Sequence, residues 1–134
     1  MAACVAVLTV VPAVAPGTAQ DWPTRTVRII VPFGPGSTPD MVARLVADRL
    51  QQKLGQSFVI ENKAGASGNL GTDAVAKAEP DGGTLGISIG GPLAINTLLF
   101  SKLPYDPAKD IAPITQLVTQ PSVLVVGAMS LAGS

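Results

Sequence analysis

The chain has 134 residues, 47% of them hydrophobic and 13% charged, and nine Lys/Arg balance nine Asp/Glu. That is room for one ordinary domain and the wrong composition for disorder, and no basic excess or Lys/Arg cluster marks a nucleic-acid face. Histidine is absent and Cys4 is the only cysteine, which excludes Ser-His-Asp and Cys-His catalysis, a disulfide and a thiolate metal cage within the chain; no metal and no cofactor is expected.

Residues 1–19, "MAACVAVLTVVPAVAPGTA", carry no charge and are rich in Ala and Val. An apolar core followed by small residues is the pattern of a secretory signal. Gly17 and Ala19 fit a small-x-small cleavage site, with Gln20 opening the mature chain. Pro12 and Pro16 break the run too early for it to span a membrane well. The Lys or Arg that normally begins a signal peptide is missing, so the expectation is a signal peptide that lacks its basic start. No apolar stretch precedes Cys4, which argues against lipid attachment there.

After Trp22-Pro23 the pattern becomes regular. "TVRIIVPF" is β-branched and apolar without clean alternation, as in a strand buried on both faces of a parallel sheet. A helix is predicted from about Pro39 to Leu54, with Val42, Leu45, Val46, Leu50 and Leu54 on one face and Gly55 as a left-handed stop. "SFVIEN" reads as a second strand, followed by the glycine loop "KAGASGNLG" and a short helix from about Asn69 to Ala78. Pro80-Asp81-Gly82-Gly83 stops that helix. "TLGISI" reads as a third strand, and "GGPLAINTLLF" as a third glycine loop with its own short helix. "IAPITQLVTQPSVLVV" reads as two further extended segments. Strand, loop and helix alternate three times, which argues for an α/β fold with a parallel sheet and right-handed crossovers.

All three glycine loops follow strand carboxyl ends and precede helices, so they gather at one sheet edge, where open α/β folds bind ligands. Helix amino termini leave N–H groups unpaired and carry partial positive charge, which makes an anion site without Lys or Arg. In "VPFGPGSTPD" Pro39 suits the first helical position, Thr38 the N-cap and Asp40 the position after Pro39. Gly34 and Gly36 give the backbone freedom, and the N–H groups of Gly36, Ser37 and Thr38 are candidates to face a ligand oxygen. Asp40 reads first as a helix-start residue and second as a partner for a cationic or water-bridged ligand group. In "GASGNLG", Ser67 and Asn69 are candidates for ligand contact, and Asn69 equally for a helix cap. Trp22 and Tyr105 are isolated aromatics whose default role is packing.

Two motif matches compete. "GPGSTP" begins like G-x-G-x-x-G, and Glu61 ends the next strand where a ribose-binding acid belongs, so a Rossmann-like dinucleotide domain is the alternative reading. Its third glycine, however, is Pro39 here. "GISIG" matches G-x-S-x-G at Ser88, but inside a strand pattern and with no histidine to serve it, so Ser88 reads as a strand residue.

Together, "WPTRTVRIIVPFGPGSTPDMVARLVADRL", "LGQSFVIENKAGASGNLGTDAVAKAEPDGGTL" and "AINTLLFSKLPYDPAKDIAPITQLVTQPSVLVV" resemble the tripartite tricarboxylate transporter substrate-binding receptors, often called Bug-type proteins. The resemblance runs from about Trp22 to Val126. It implies the first lobe of a type II periplasmic-binding-protein fold, over residues 20–120, with 121–134 a crossover into a second lobe that is largely absent. It implies a monomeric periplasmic receptor, not an enzyme, that closes on a di- or tricarboxylate, an acidic amino acid or an aromatic acid and delivers it to a membrane permease. By the same resemblance, ligand contacts fall on the loop after the first strand (Phe33, Gly34, Gly36, Ser37, Thr38, Asp40) and on the loop after the third (Gly90, Gly91, Ala94). Ser37 departs from the family, which usually has a glycine there. One lobe alone exposes the anion to water and screening, so weak binding and marginal stability are expected of it.

Overall fold

The structure, a computed structural model, describes residues 22–121 together with Val123 and Val125. The expected signal peptide, residues 1–19, and most of the expected crossover, 121–134, lie outside the described residues.

Strand β1 (Val27–Val31) is the centre of a three-stranded sheet ordered β2-β1-β3, all parallel. Strand β2 (Phe58–Asn62) pairs along its whole length, Val27 opposite Phe58 through Val31 opposite Asn62. Strand β3 (Thr84–Gly86) is short and pairs with Arg28 to Ile30. It stops before the predicted end of "TLGISI". Pro32 explains this: it follows Val31, has no N–H to donate, and ends the β1 ladder just after the Ile87 N–H reaches Ile30 O at 3.0 Å. Ser88 therefore lies beyond the strand, contrary to its sequence reading.

Helix α1 (Thr38–Leu54) covers one face of the sheet. Val27, Ile29 and Val31, alternate residues of β1, pack with Ala43, Ala47 and Phe58 into the main core. Burying each large aliphatic side chain there is worth about 1.5–3 kcal/mol. The face of α1 turned to the sheet runs Asp40, Ala43, Ala47, Leu50, Leu54, not through Leu45, which is 64% exposed. The 3.6-residue period is as predicted, but alanines take its centre because small side chains let the helix approach the strands closely. Gly55 ends α1 at φ 70°, its N–H donating to Gln51 O at 3.0 Å.

Helix α2 (Asn69–Ala76), two residues shorter than predicted, packs on β1 and β3. Its Gly71 leaves no room for a side chain: a Cβ there would stand 2.6 Å from Pro32 Cα and 2.8 Å from Lys63 O. A π-helical turn (Gly91–Ile95) and helix α3 (Asn96–Leu99) follow β3. The extended strands expected from Ile111 onward do not form among the described residues to Pro121. That stretch finds no ladder partner, and Ile114 is 80% exposed.

Candidate functional site

Chain order places β2 on one side of β1 and β3 on the other, so the crossover direction reverses between them. Open α/β sheets bind ligands at such a switch point, outside the strand carboxyl ends. The loops after β1 and β3 border it here, and the loop after β2 closes the side.

The first loop is fixed from below. Asp40 is buried, 2% exposed. Its carboxylate accepts from Arg44 Nε and Nη2, each at 3.0 Å, from the Gly36 N–H at 2.9 Å and from Asn62 Nδ2 at 2.9 Å. The hydrogen bonds from Arg44, then those from Gly36 and Asn62, hold the carboxyl well below the ordinary carboxylate range against the opposing effect of burial. Asn62 Nδ2 also donates to Phe33 O at 3.0 Å, so one amide ties the end of β2, the loop and the first turn of α1. Asp40 thus supports the loop with both of its oxygens engaged.

The N-cap of α1 is Ser37, not Thr38, and Asp40 falls at the third helical position. Ser37 Oγ makes no capping bond; it is buried and has no partner among the described residues. Of the three expected donors, the Gly36 N–H goes to Asp40 and the Ser37 N–H to Gly34 O at 3.3 Å. The Thr38 N–H has no acceptor among the described residues.

The second loop is strained. Gly65, Ala66, Ser67 and Gly68 all have positive φ, at 138°, 47°, 55° and 88°. For Ala66 and Ser67 the left-handed conformation costs about 1–2 kcal/mol each. Gly68 is where the three loops meet: a Cβ there would lie 2.6 Å from Pro92 Cγ and 3.1 Å from Phe33 Cζ. Gly68, not Asn69, is the N-cap of α2. Asn69 instead turns its amide inward: Oδ1 accepts from Asn96 Nδ2 at 2.6 Å and lies 2.9 Å from Tyr105 Oη.

In the third loop Gly90 and Ala94 are exposed and Gly91 is half-buried, with open space around Gly90. The π-helical turn that carries Gly91 and Ala94 is a geometry frequent at functional sites. Ser88 Oγ, just before this loop, is buried with no partner among the described residues, like Ser37 Oγ across the switch point.

The opposite, amino-terminal edge holds a recess of about 360 Å³ lined by Arg25, Arg28 and Lys77. The fold gathers these cations from separate stretches, a cluster invisible along the chain. Each has a carboxylate partner: Arg25 with Asp81, Arg28 with Glu61 at 3.5 Å, Lys77 with Asp73 at 2.7 Å. Among the described residues no group of His, Cys, Asp and Glu is arranged to hold a metal, and no helix is long and apolar enough to cross a membrane.

Sequence reading missed Arg44, Asn62, Gly68, Asn96 and Tyr105. Arg44 had a readable signal, standing four residues after Asp40 on one helix face. The others act across 13 to 36 residues of sequence, as Tyr105 does on Pro92 and on Asn69, and no local pattern reports such pairs.

Residues 42–133 match the model of the tripartite tricarboxylate transporter family receptors. The chain belongs to that family. BugT of Bordetella pertussis is 44% identical over 112 residues, covering 83% of this chain and 34% of BugT. A UPF0065 protein of Bordetella bronchiseptica is 42% identical over 112 residues, 84% of this chain and 33% of its own length. Among solved structures, MatC of Rhodopseudomonas palustris with bound malate is 44% identical at a TM-score of 0.68, with 72% of this chain and 33% of MatC aligned. An R. palustris protein solved with adipate is 51% identical at a TM-score of 0.64, with 66% of this chain and 29% of that protein aligned. The chain spans about a third of the length of these relatives.

Proposed function

We propose that this chain forms the carboxylate-binding first lobe, residues 20–120, of a periplasmic solute receptor that serves a tripartite tricarboxylate-type transporter. The observation that carries the proposal is the switch-point edge itself: three glycine loops converge at Gly68, flanked by the Thr38 N–H and the buried hydroxyls of Ser37 and Ser88, none of which has a partner among the described residues. A buried polar group left unpaired costs about 1–3 kcal/mol, which a ligand oxygen would relieve. Phe33, Gly34, Gly36, Ser37, Thr38, Gly90, Gly91 and Ala94 form the grip, Asp40 anchors it, and Ser67 and Asn69 flank it. Malate in one relative and adipate in another favour a small dicarboxylate over a bulkier acid. Capture needs no reaction: the loops hold the anion, and a membrane permease takes it onward. The receptor works as a monomer exported by its leader, residues 1–19.

The Rossmann alternative finds no support in the relatives, and its ribose-binding candidate, Glu61, is engaged by Arg28 and Lys63. Titration calorimetry of the full-length receptor with malate, adipate, an acidic amino acid and NAD tests the proposal. Saturable binding of at least one carboxylate, with none of NAD, is expected; NAD binding without carboxylate binding would overturn it.

A further inference from the structure

Tyr105 lies in a stretch without helix or strand, yet it is 5% exposed, as buried as the residues of the core. Its segment is held in place by a compact turn: the Asp106 N–H donates to Asp110 Oδ2 at 2.7 Å, the Ala108 N–H to Asp106 Oδ1 at 3.0 Å, and Lys109 pairs with Asp106 at 3.0 Å. From that turn the phenol reaches back to the sheet edge. Burial pushes its pKa up, more than the neighbouring Thr72 hydroxyl lowers it, so it stays a protonated donor at neutral pH.

Asn96, 4% exposed, offers two protons on Nδ2, which go to Ser67 O at 3.2 Å and Asn69 Oδ1 at 2.6 Å. Tyr105 offers one, shared between Pro92 O at 2.8 Å and Asn69 Oδ1 at 2.9 Å. Two of the three acceptors are backbone carbonyls, one from the strained second loop and one from the π-helical turn of the third. None of these residues belongs to the hydrophobic cluster that Val27, Ile29 and Val31 form with Ala43, Ala47 and Phe58. The polar cluster bridges the two loops.

We infer that Tyr105 and Asn96 are positioning residues of the binding site, setting the spacing between the loop after β2 and the loop after β3. This rests on the reading of that edge as a carboxylate grip. A grip of this kind depends on preorganised donors, because every loop that must be ordered by the ligand subtracts from affinity. Tyr105→Phe removes one proton and keeps the ring, so it leaves Pro92 O without its donor and the core intact.

The test compares Tyr105→Phe and Asn96→Ser with the wild-type full-length receptor by hydrogen exchange and by calorimetry with malate and adipate. Without ligand, amides of residues 67–71 and 90–96 should exchange faster in both variants, while those of 27–31 and 58–62 are unchanged. Carboxylate affinity should fall between about two- and tenfold for Tyr105→Phe, the effect of one hydrogen bond, with little change in melting temperature. Unchanged exchange in the loops would overturn the inference, and so would global unfolding of both variants, which would make the cluster part of the core. A wild type that binds no carboxylate would refute the binding reading alone, since the exchange pattern still decides whether Tyr105 and Asn96 order the loops.

Discussion

At the amino-terminal edge of the sheet, Arg25, Arg28 and Lys77 line one recess, and each faces a carboxylate. At the carboxyl-terminal edge, the loops 32–37 and 87–94 contain no Lys or Arg at all, yet donors without a partner among the described residues gather there. A cation that is exposed and already paired has little left to offer an anion. A buried hydroxyl or amide without a partner gains nearly the full value of a hydrogen bond when a ligand arrives. On the proposed reading, formal charge gathers at the edge away from the carboxylate, and unspent backbone and hydroxyl donors mark the edge that holds it.

The sharpest way to break that contrast is at Gly68. A Cβ there combines φ 88° with approaches of 2.6 Å to Pro92 and 3.1 Å to Phe33, so Gly68→Ala should destabilise by about 2–4 kcal/mol and weaken carboxylate binding more than tenfold. Gly34→Ala is the control, since its Cβ meets nothing within 4 Å. Urea denaturation measures both; equal stability for the two variants would mean that the loops do not meet at Gly68. Asp40→Asn should have the next effect, and its sign depends on pH. The folded carboxyl titrates below the unfolded one, so its contribution is full above the ordinary carboxylate pKa of about 4 and is lost as pH falls through the lower folded value. Melting curves across the acid range should therefore fall less steeply for Asp40→Asn, and parallel curves would contradict the account of the first loop. Ser37→Ala removes a buried hydroxyl that has no partner among the described residues. Stability should stay level or rise by up to about 1 kcal/mol while carboxylate affinity drops, a split that a purely structural serine would not produce. Arg25→Ala, at the other edge, should be the smallest: the exposed pair with Asp81 is worth less than about 1 kcal/mol, and calorimetry should find affinity unchanged.

Much of this frame was legible in the chain. The β-branched run of β1, the span of α1 and the glycine loops after each strand stand where local chemistry puts them. Three features escaped for physical reasons. The sheet-facing line of α1 runs through Ala43 and Ala47 because close approach to the strands outweighs side-chain size, which periodicity counting does not weigh. The early end of β3 depends on Pro32, a residue in a different loop whose missing N–H ends the neighbouring ladder. The cluster of Asn69, Asn96 and Tyr105 joins residues 27 and 36 positions apart, so each looks unremarkable in its own neighbourhood. The switch point could be placed from strand order, whereas the bonds that hold its loops in register could not.

Amide chemical-shift mapping of the full-length receptor during titration with malate or adipate tests the central claim most directly. The account predicts that the largest shifts fall on residues 33–38 and 90–94, with residues 25–28 and 77–84 nearly still. Largest shifts around Arg25, Arg28 and Lys77, with a silent switch-point edge, would contradict it.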